Sequence, residues 1–356
     1  MRVAITGGGT GGHIYPALEV ARLAGERGAE LLYLGSVRGQ ESKLCAQRGI
    51  VFEGFPSQPL YSLKTARGWR ALVALSRSTI LAKRAIRVAR PDVVFSTGGY
   101  GAAPVMAAAR SLGIPYTIHE ANSVPGRSNR MFSSSCFALT STFFETAHHL
   151  PRAIRTGQPI RRELREAVSS RMDSGKSVLV LGGSQGSAFL NDVMPRTTEM
   201  LGSNVNVIHA AGHGNFEQLS KSLSLPTGYK LVPYLETGEI VDAYLRSTVA
   251  VARSGGTIAE FAMFGLPSVL VPLPNSADDH QRKNALEFVS IGGATLVDQI
   301  SATPEVLAEA IKGWLEDVPK RKTAQIELQA WDVPDATERI VDILYRAAKS
   351  EKLEFK

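Results

Sequence analysis

Four glycine-rich segments each follow a short apolar run and each stand where a helix can begin. They are Gly7-Gly8-Gly9-Thr10-Gly11-Gly12-His13, Ser96-Thr97-Gly98-Gly99-Tyr100-Gly101, Gly182-Gly183-Ser184-Gln185-Gly186-Ser187 and Arg253-Ser254-Gly255-Gly256-Thr257. Without a Cβ, the backbone can approach a ligand closely, and a helix start aims its unpaired N–H groups at an anion. A phosphate-bearing ligand is the chemistry this arrangement favours. The first segment satisfies G-x-G-x-x-G, so a dinucleotide site must be weighed. That site needs an acid for the ribose at the end of the second strand, and Leu34-Gly35-Ser36 supplies none. No lysine follows the glycines as a Walker loop requires.

Near these loops stand groups able to move a proton or hold a hydroxyl. His13 falls at a helix N-terminus, where the dipole keeps imidazole neutral and fit to act as a base. Glu120 is the rival base; as the neighbour of His119 at a strand end it can instead order its loop. Glu260 lies one turn into the helix that the fourth loop opens, and a carboxylate there offers paired acceptors. Asp278-Asp279 are adjacent rather than spaced as an Asp-x-Asp pair, so no metal is demanded; magnesium has a route only through substrate phosphates. His148, His149, His209 and His213 are expected in surface or structural roles, and Cys45 and Cys136 match no metal or redox spacing.

The elements that must position these groups alternate apolar strands with helices. Strands are expected at Arg2–Thr6, Leu31–Leu34, Val93–Ser96 and Tyr116–His119. The pattern restarts at Ser177–Leu181 and continues through Val205–Ile208, Lys230–Val232, Val249–Ala252 and Ser268–Val271. Fully apolar strands separated by helices imply parallel sheets covered on both faces. The expected fold is therefore α/β, two doubly wound Rossmann-like domains facing across a cleft, with the polar stretch Gln158–Lys176 as linker. The domains are placed at residues 1–160 and 161–334, and residues 335–356 form a charged amphipathic helix expected to pack back on the first domain. In open α/β sheets ligands bind beyond the carboxyl ends of strands, where all four glycine loops fall.

At 356 residues, 44% hydrophobic and 21% charged, the chain has a globular composition and room for about two domains. No run approaches the roughly 20 apolar residues that span a bilayer, and Arg2–Thr6 leads straight into glycines without a signal-peptide core. The net charge of +7 is uneven: residues 1–160 carry 19 Lys/Arg against 8 Asp/Glu, the rest 21 against 25. A basic half attracts nucleic acid, anionic membrane or phosphorylated substrate.

Taken in order, Gly8–His13, Gly98-Gly99-Tyr100, His119-Glu120-Ala121-Asn122, Gly157–Arg161, Gly182–Gly186, Arg253–Glu260 and Asp279–Ala285 resemble the MurG family of peptidoglycan glycosyltransferases over nearly the whole chain. The resemblance implies the glycosyltransferase B architecture. It also implies inverting transfer of N-acetylglucosamine from UDP-N-acetylglucosamine to the 4-hydroxyl of the muramoyl sugar of undecaprenyl-pyrophosphoryl-MurNAc-pentapeptide, lipid I to lipid II. By resemblance, Ser184 meets the pyrophosphate, Glu260 the ribose and Leu235 the uracil. Arg161 and Gly255, Gly256, Thr257, Ile258 and Ala259 match further donor contacts, while His280 and Gln281 match contacts to the sugar. Thr10, Gly11, Gly12 and Asn122 complete the sugar site, and His13, Tyr100, His119, Glu120 and Asn191 match positions tied to activity.

Residues 54–91 hold no acid but eight Lys/Arg, interleaved with Leu60, Tyr61, Trp69, Val73, Ile80 and other apolar residues. That profile suits an anionic leaflet, so peripheral docking on the cytoplasmic face of the plasma membrane is expected. A core helix with a solvated basic face is the plainer reading. Nucleic-acid binding is disfavoured because no recognition motif accompanies the charge. A nucleotide-sugar epimerase on the same fold is the alternative function; it needs no lipid surface.

Overall fold

The computed structural model describes residues 1–9, 11–57, 65–168, 175–222 and 225–351. They form two compact units, one of Met1–Arg161 with Asp335–Lys356 and one of Arg162–Pro334.

In the first unit, strands β1 (Arg2–Thr6), β2 (Glu30–Ser36), β3 (Val51–Phe55), β4 (Val93–Ser96), β5 (Tyr116–Glu120), β6 (Ala138–Ser141) and β7 (Ala153–Arg155) pair in the order β3-β2-β1-β4-β5-β6-β7. All these pairings are parallel. Between them run α1 (Gly11–Glu26), α2 (Glu41–Ala46), α3 (Ala66–Ala89), α4 (Ala103–Ser111), α5 (Arg127–Phe132) and α6 (Thr146–His149). Every residue of β4, β5 and β6 is buried, as a parallel sheet covered on both faces requires.

The second unit has α7 (Arg162–Ala167), β8 (Ser177–Leu181), α8 (Ala188–Leu201), β9 (Asn206–Ala210), α9 (His213–Ser222), β10 (Tyr229–Val232) and α10 (Thr237–Arg246). It continues with β11 (Val249–Ala252), α11 (Thr257–Phe264), β12 (Ser268–Leu270), α12 (His280–Ser290), β13 (Ala294–Leu296), α13 (Pro304–Leu315) and α14 (Val318–Trp331). Its parallel sheet runs β10-β9-β8-β11-β12-β13. The last helix, α15 (Ala336–Ala348), belongs to the first unit. There Ile340, Val341, Leu344 and Ala347 join the core with Val3, Ile5, Ile14 and Leu18, and Arg27 Nη1 meets Asp342 Oδ1 at 2.5 Å.

Strands β3, β6, β7 and β13 escape the apolar-run criterion. Glu53 and Gly54 interrupt β3, Thr140 and Ser141 make β6 look polar, and β7 and β13 are three residues each. The stretch Gln158–Lys176, expected as a linker, contains α7. Its Leu164 is fully buried and its Arg165 pairs with Asp332, which ties it to the second unit.

Both sheets place their topological switch point at glycine loops. In the first, β1 and β4 are neighbours from which the chain departs in opposite directions; in the second, β8 and β11 play that part. The loops after these four strands are the four segments singled out above.

Candidate active site

In the first unit, the loops after β1 and β4 lock together through backbone bonds. Gly8 N–H donates to Gly98 O at 3.3 Å and Thr97 N–H to Thr6 O at 3.0 Å. The contact is tight enough to demand glycine: with φ at +85°, a Cβ on Gly99 would stand 2.1 Å from the Gly8 carbonyl oxygen. Gly9, at φ +99°, lies under the Tyr100 ring, whose Cε1 is 2.5 Å from where a Cβ would be. His13, in the first turn of α1, is half-buried; its Nδ1 lies 2.8 Å from Thr97 O, and Thr97 Oγ1 donates back to His13 O at 2.8 Å. A carbonyl only accepts, so the ring proton of the neutral form resides on Nδ1 and Nε2 carries the basic lone pair.

The next strand end is built differently. His119 is fully buried on β5, with Nδ1 3.0 Å from Thr140 Oγ1 and Nε2 3.1 Å from Thr142 Oγ1. Burial pushes its pKa down to about 4, so the ring is neutral. Glu120 is 1% exposed and its carboxylate is saturated. Oε1 accepts from Asn122 N–H at 3.0 Å and Asn122 Nδ2 at 3.2 Å; Oε2 accepts from Gly126 N–H at 3.0 Å and Asn129 Nδ2 at 2.7 Å. Asn129 in turn lies against Gly98, where a Cβ would meet its Oδ1 at 2.6 Å.

In the second unit, the third loop turns on Gly183 and Gly186, with Gly186 N–H donating to Gly183 O at 2.9 Å. It leaves Ser184 exposed at the tip. Ser187 caps α8 by accepting from Leu190 N–H, and Asn191, nearly buried, donates from Nδ2 to Ala211 O at 3.0 Å beyond β9. The fourth loop enters α11 with no side chain capping it; Ile258 N–H and Ala259 N–H turn back to Gly255 O and Gly256 O at 3.2 Å each, so the amides of Gly256 and Thr257 are the ones that remain for an anion. Ile258 and Ala259 bury their side chains in the core. Glu260 is half-buried and accepts from Tyr244 OH at 2.5 Å, which fixes the carboxylate on its helix.

Two residues tie these loops together. Arg253, 9% exposed, donates from Nε to Ser187 Oγ at 3.2 Å, from Nη1 to Val271 O and Pro272 O at 2.9 and 3.1 Å, and from Nη2 to Gln299 Oε1 at 2.7 Å. Its charge is held beneath the loops by neutral acceptors, and burial lowers its pKa. Ser254 Oγ donates to Gln281 O at 2.7 Å, and the Ser254 carbonyl accepts from Asn284 Nδ2 on α12 at 3.0 Å. Gln281 Oε1 accepts from Leu273 N–H at 3.0 Å, and His280 Nδ1 lies 2.8 Å from Ala277 O.

This geometry coincides with the family matches. The family models for the glycosyltransferase family 28 N-terminal domain and C-terminal domain match residues 3–139 and 177–340. A relative from Shewanella amazonensis, named UDP-N-acetylglucosamine–N-acetylmuramyl-(pentapeptide) pyrophosphoryl-undecaprenol N-acetylglucosamine transferase, is 34% identical over 98% of both chains. The relative of the same name from Lactococcus lactis subsp. lactis is 32% identical over 98% of this chain and 100% of its own. The crystal structure of Acinetobacter baumannii MurG is 28% identical, covers 97% of this chain and 99% of its own, and superposes with a TM-score of 0.77. The chain belongs to the MurG family of glycosyltransferases.

Against the MurG-family expectations, the first unit brings Gly11, Gly12, His13 and Tyr100 to one switch point, while Thr10 lies outside the described residues. Asn122, half-buried, sits on the loop held by Glu120, and Arg161 stacks its guanidinium 5.1 Å from the Tyr15 ring centroid. The second unit brings Ser184, Gly255, Gly256, Thr257, Glu260 and Gln281 to the ends of its central strands; Leu235 is buried between β10 and α10. Four N–H donors engage the Glu120 oxygens, and the carboxylate orders the 121–126 loop. His119 is enclosed at the sheet end by Thr140, Thr142 and Gln158. The amides of Gly8 and Gly9 are likewise taken, by Gly98 O and Glu41. Sequence reasoning gave no individual role to Arg253, Asn284 or Glu41. The available signal for the first was a cation set directly after a buried strand.

Proposed function

We propose that this chain transfers N-acetylglucosamine from UDP-N-acetylglucosamine to the 4-hydroxyl of the muramoyl sugar of lipid I, giving lipid II. The observation that carries this reading is the pairing, in the second unit, of an uncapped helix start at Gly255–Thr257 with Glu260 one turn later. The N–H groups suit the pyrophosphate, and a carboxylate anchored by Tyr244 suits two vicinal ribose hydroxyls. Ser184 adds a hydroxyl from the third loop, Leu235 lies where the uracil is read, and Arg161 supplies a cation for the donor phosphates. Gln281 and His280 address the sugar hydroxyls.

The acceptor hydroxyl attacks the anomeric carbon as the bond to the β-phosphate oxygen breaks, inverting that carbon. UDP leaves with the bonding pair, and amides and helix dipoles meet its charge. His13 takes the proton at Nε2, since Nδ1 is committed to Thr97 O. Tyr100 and Asn191 hold the glycine loops in place. The chemistry asks for no resident metal; magnesium enters only with substrate phosphates.

Helix α3 supports docking on an anionic leaflet. Val73, Ile80 and Val88 are 58%, 67% and 79% exposed and alternate with exposed Arg70, Arg77, Arg84 and Arg87. Residues 58–64 of the basic segment lie outside the described residues. Among the described residues no helix is long and apolar enough to cross a membrane. This face and the family's curated relatives favour the transferase over an epimerase. Transfer of radiolabelled N-acetylglucosamine to a lipid I analogue tests the reaction. Sedimentation with anionic and neutral liposomes tests the surface: salt-insensitive, equal binding to both would refute it.

A further inference from the structure

We infer that Tyr15 is a positioning residue: its ring holds the Arg161 guanidinium in place for the phosphates of the donor. This rests on the transferase reading above, in which Arg161 supplies that cation. Arg161 is the last residue of the first unit before the chain passes into the second. It is carried to α1 by a strap laid across the strand ends. After β7, at the edge of the sheet, Thr156 N–H and Gly157 N–H both donate to Ser141 O, at 3.0 and 3.2 Å. Gln158, 6% exposed, then reaches back over the ends of β6 and β5: its Oε1 accepts from Thr142 Oγ1 at 2.5 Å and lies 3.4 Å from His119 Nε2. Ile160 is buried, and the next residue sets its Cζ over the Tyr15 ring, 5.1 Å from the centroid. Tyr15 lies at the start of α1, two residues beyond His13.

Stacking engages the flat face of a guanidinium, whereas phosphate oxygens meet its N–H edge, so the two contacts are compatible. The separation lies within the ~6 Å over which a cation is drawn to the face of an aromatic ring. A long, flexible arginine loses rotamer freedom when a ligand fixes it, and a ring that already orders the side chain takes part of that loss out of binding. Residues two apart on a helix do not share a face. Helix α1 therefore turns His13 to Thr97 on one side and Tyr15 to Arg161 on another. The effect of the ring falls on the donor rather than on the base.

Calorimetric titration of the full chain with UDP tests this in Tyr15→Phe, Tyr15→Leu, Arg161→Met and the Tyr15→Leu, Arg161→Met double variant, alongside the pH profile of kcat. Tyr15→Phe keeps the ring and should hold UDP affinity within about twofold. Tyr15→Leu keeps apolar bulk but removes the aromatic face; it should weaken UDP binding roughly 3- to 10-fold and leave the pH profile unmoved. Arg161→Met should weaken UDP binding roughly tenfold or more, and adding Tyr15→Leu to it should cost no further affinity. Damage through the packing of α1 alone would instead appear in full in both backgrounds. Should Tyr15→Leu fail to fold, Tyr15→Met carries the same comparison with a more adaptable side chain. Wild-type UDP affinity in the ringless variant, an equal loss in Tyr15→Phe, or an undiminished further loss in the Arg161→Met background would each overturn the inference. Unchanged affinity in Arg161→Met alone would remove Arg161 from the donor site and Tyr15 with it. Absence of transfer by the wild-type chain would instead refute the transferase reading.

Discussion

Replacing Glu120 with glutamine separates a loop organiser from a base. The carboxylate accepts four N–H donors, two at each oxygen. Glutamine turns one oxygen into an NH2 group, so whichever way the amide faces, a backbone N–H of Asn122 or Gly126 loses its acceptor. Asn122 or Asn129 must also turn its side chain. Two bonds to a charged acceptor at about 1.5–3 kcal/mol each give a loss of roughly 3–6 kcal/mol. For a unit of this size that is a fall in Tm of roughly 6–24 °C. Differential scanning calorimetry reads the stability, and initial rates read kcat and KM for the donor. The expected result is a lowered Tm accompanied by reduced kcat, since the 121–126 loop carries Asn122 and braces Gly98 through Asn129. A variant with wild-type Tm and abolished kcat would show that the carboxylate takes the acceptor proton, and the assignment of His13 would fall with it.

Three other outcomes follow from the geometry. His13→Ala should lower kcat roughly 10²- to 10⁴-fold while leaving the dissociation constant for UDP unchanged; an unaltered kcat removes His13 as base. Glu260→Gln, keeping its shape but losing charge on the Tyr244 pair, should weaken UDP binding roughly tenfold in a titration; equal affinity would place the ribose elsewhere. Acidification should destabilise both units, because burial holds His119 and His209 neutral at pKa values of about 4 and about 3. The unfolded chain binds these protons near pH 6.5 and the folded chain does not. Stability is therefore complete above that pH and is lost as pH falls through the window toward 4 and 3, by at most ~3 and ~5 kcal/mol. Urea titrations at pH 7, 6 and 5 measure this slope, and His209→Phe should flatten it for the second unit. An identical slope in that variant would rule out His209 as a source.

Much of the fold can be read locally. A buried parallel strand is a run of apolar residues and a switch-point loop is a run of glycines, both contiguous in sequence, so the two doubly wound units and the four loops are legible without contacts. The C-cap of α11 is equally local: Gly265 takes φ +58° and Pro267 follows. Edge strands are less so, since β3 exposes alternate residues and β13 is only three residues long. The family's motifs identify which residues gather at the strand ends, because spacing along the backbone carries that information.

What a side chain does once there depended on partners far along the chain. Glu120 reads as a base or an organiser until Gly126 and Asn129 are seen to occupy it. His13 acquires its tautomer from Thr97, 84 residues away, and Arg253 finds Ser187 across 66 residues. Glu41 becomes meaningful only where β2 delivers it beneath Gly8 and Gly9. Hydrogen bonding and desolvation act through space, over a few ångströms, and the periodicity of a sequence contains no record of those distances. Residue types and spacings alone therefore established the fold class. The packed chain decided which carboxylates are already spent, and which nitrogen can accept a proton.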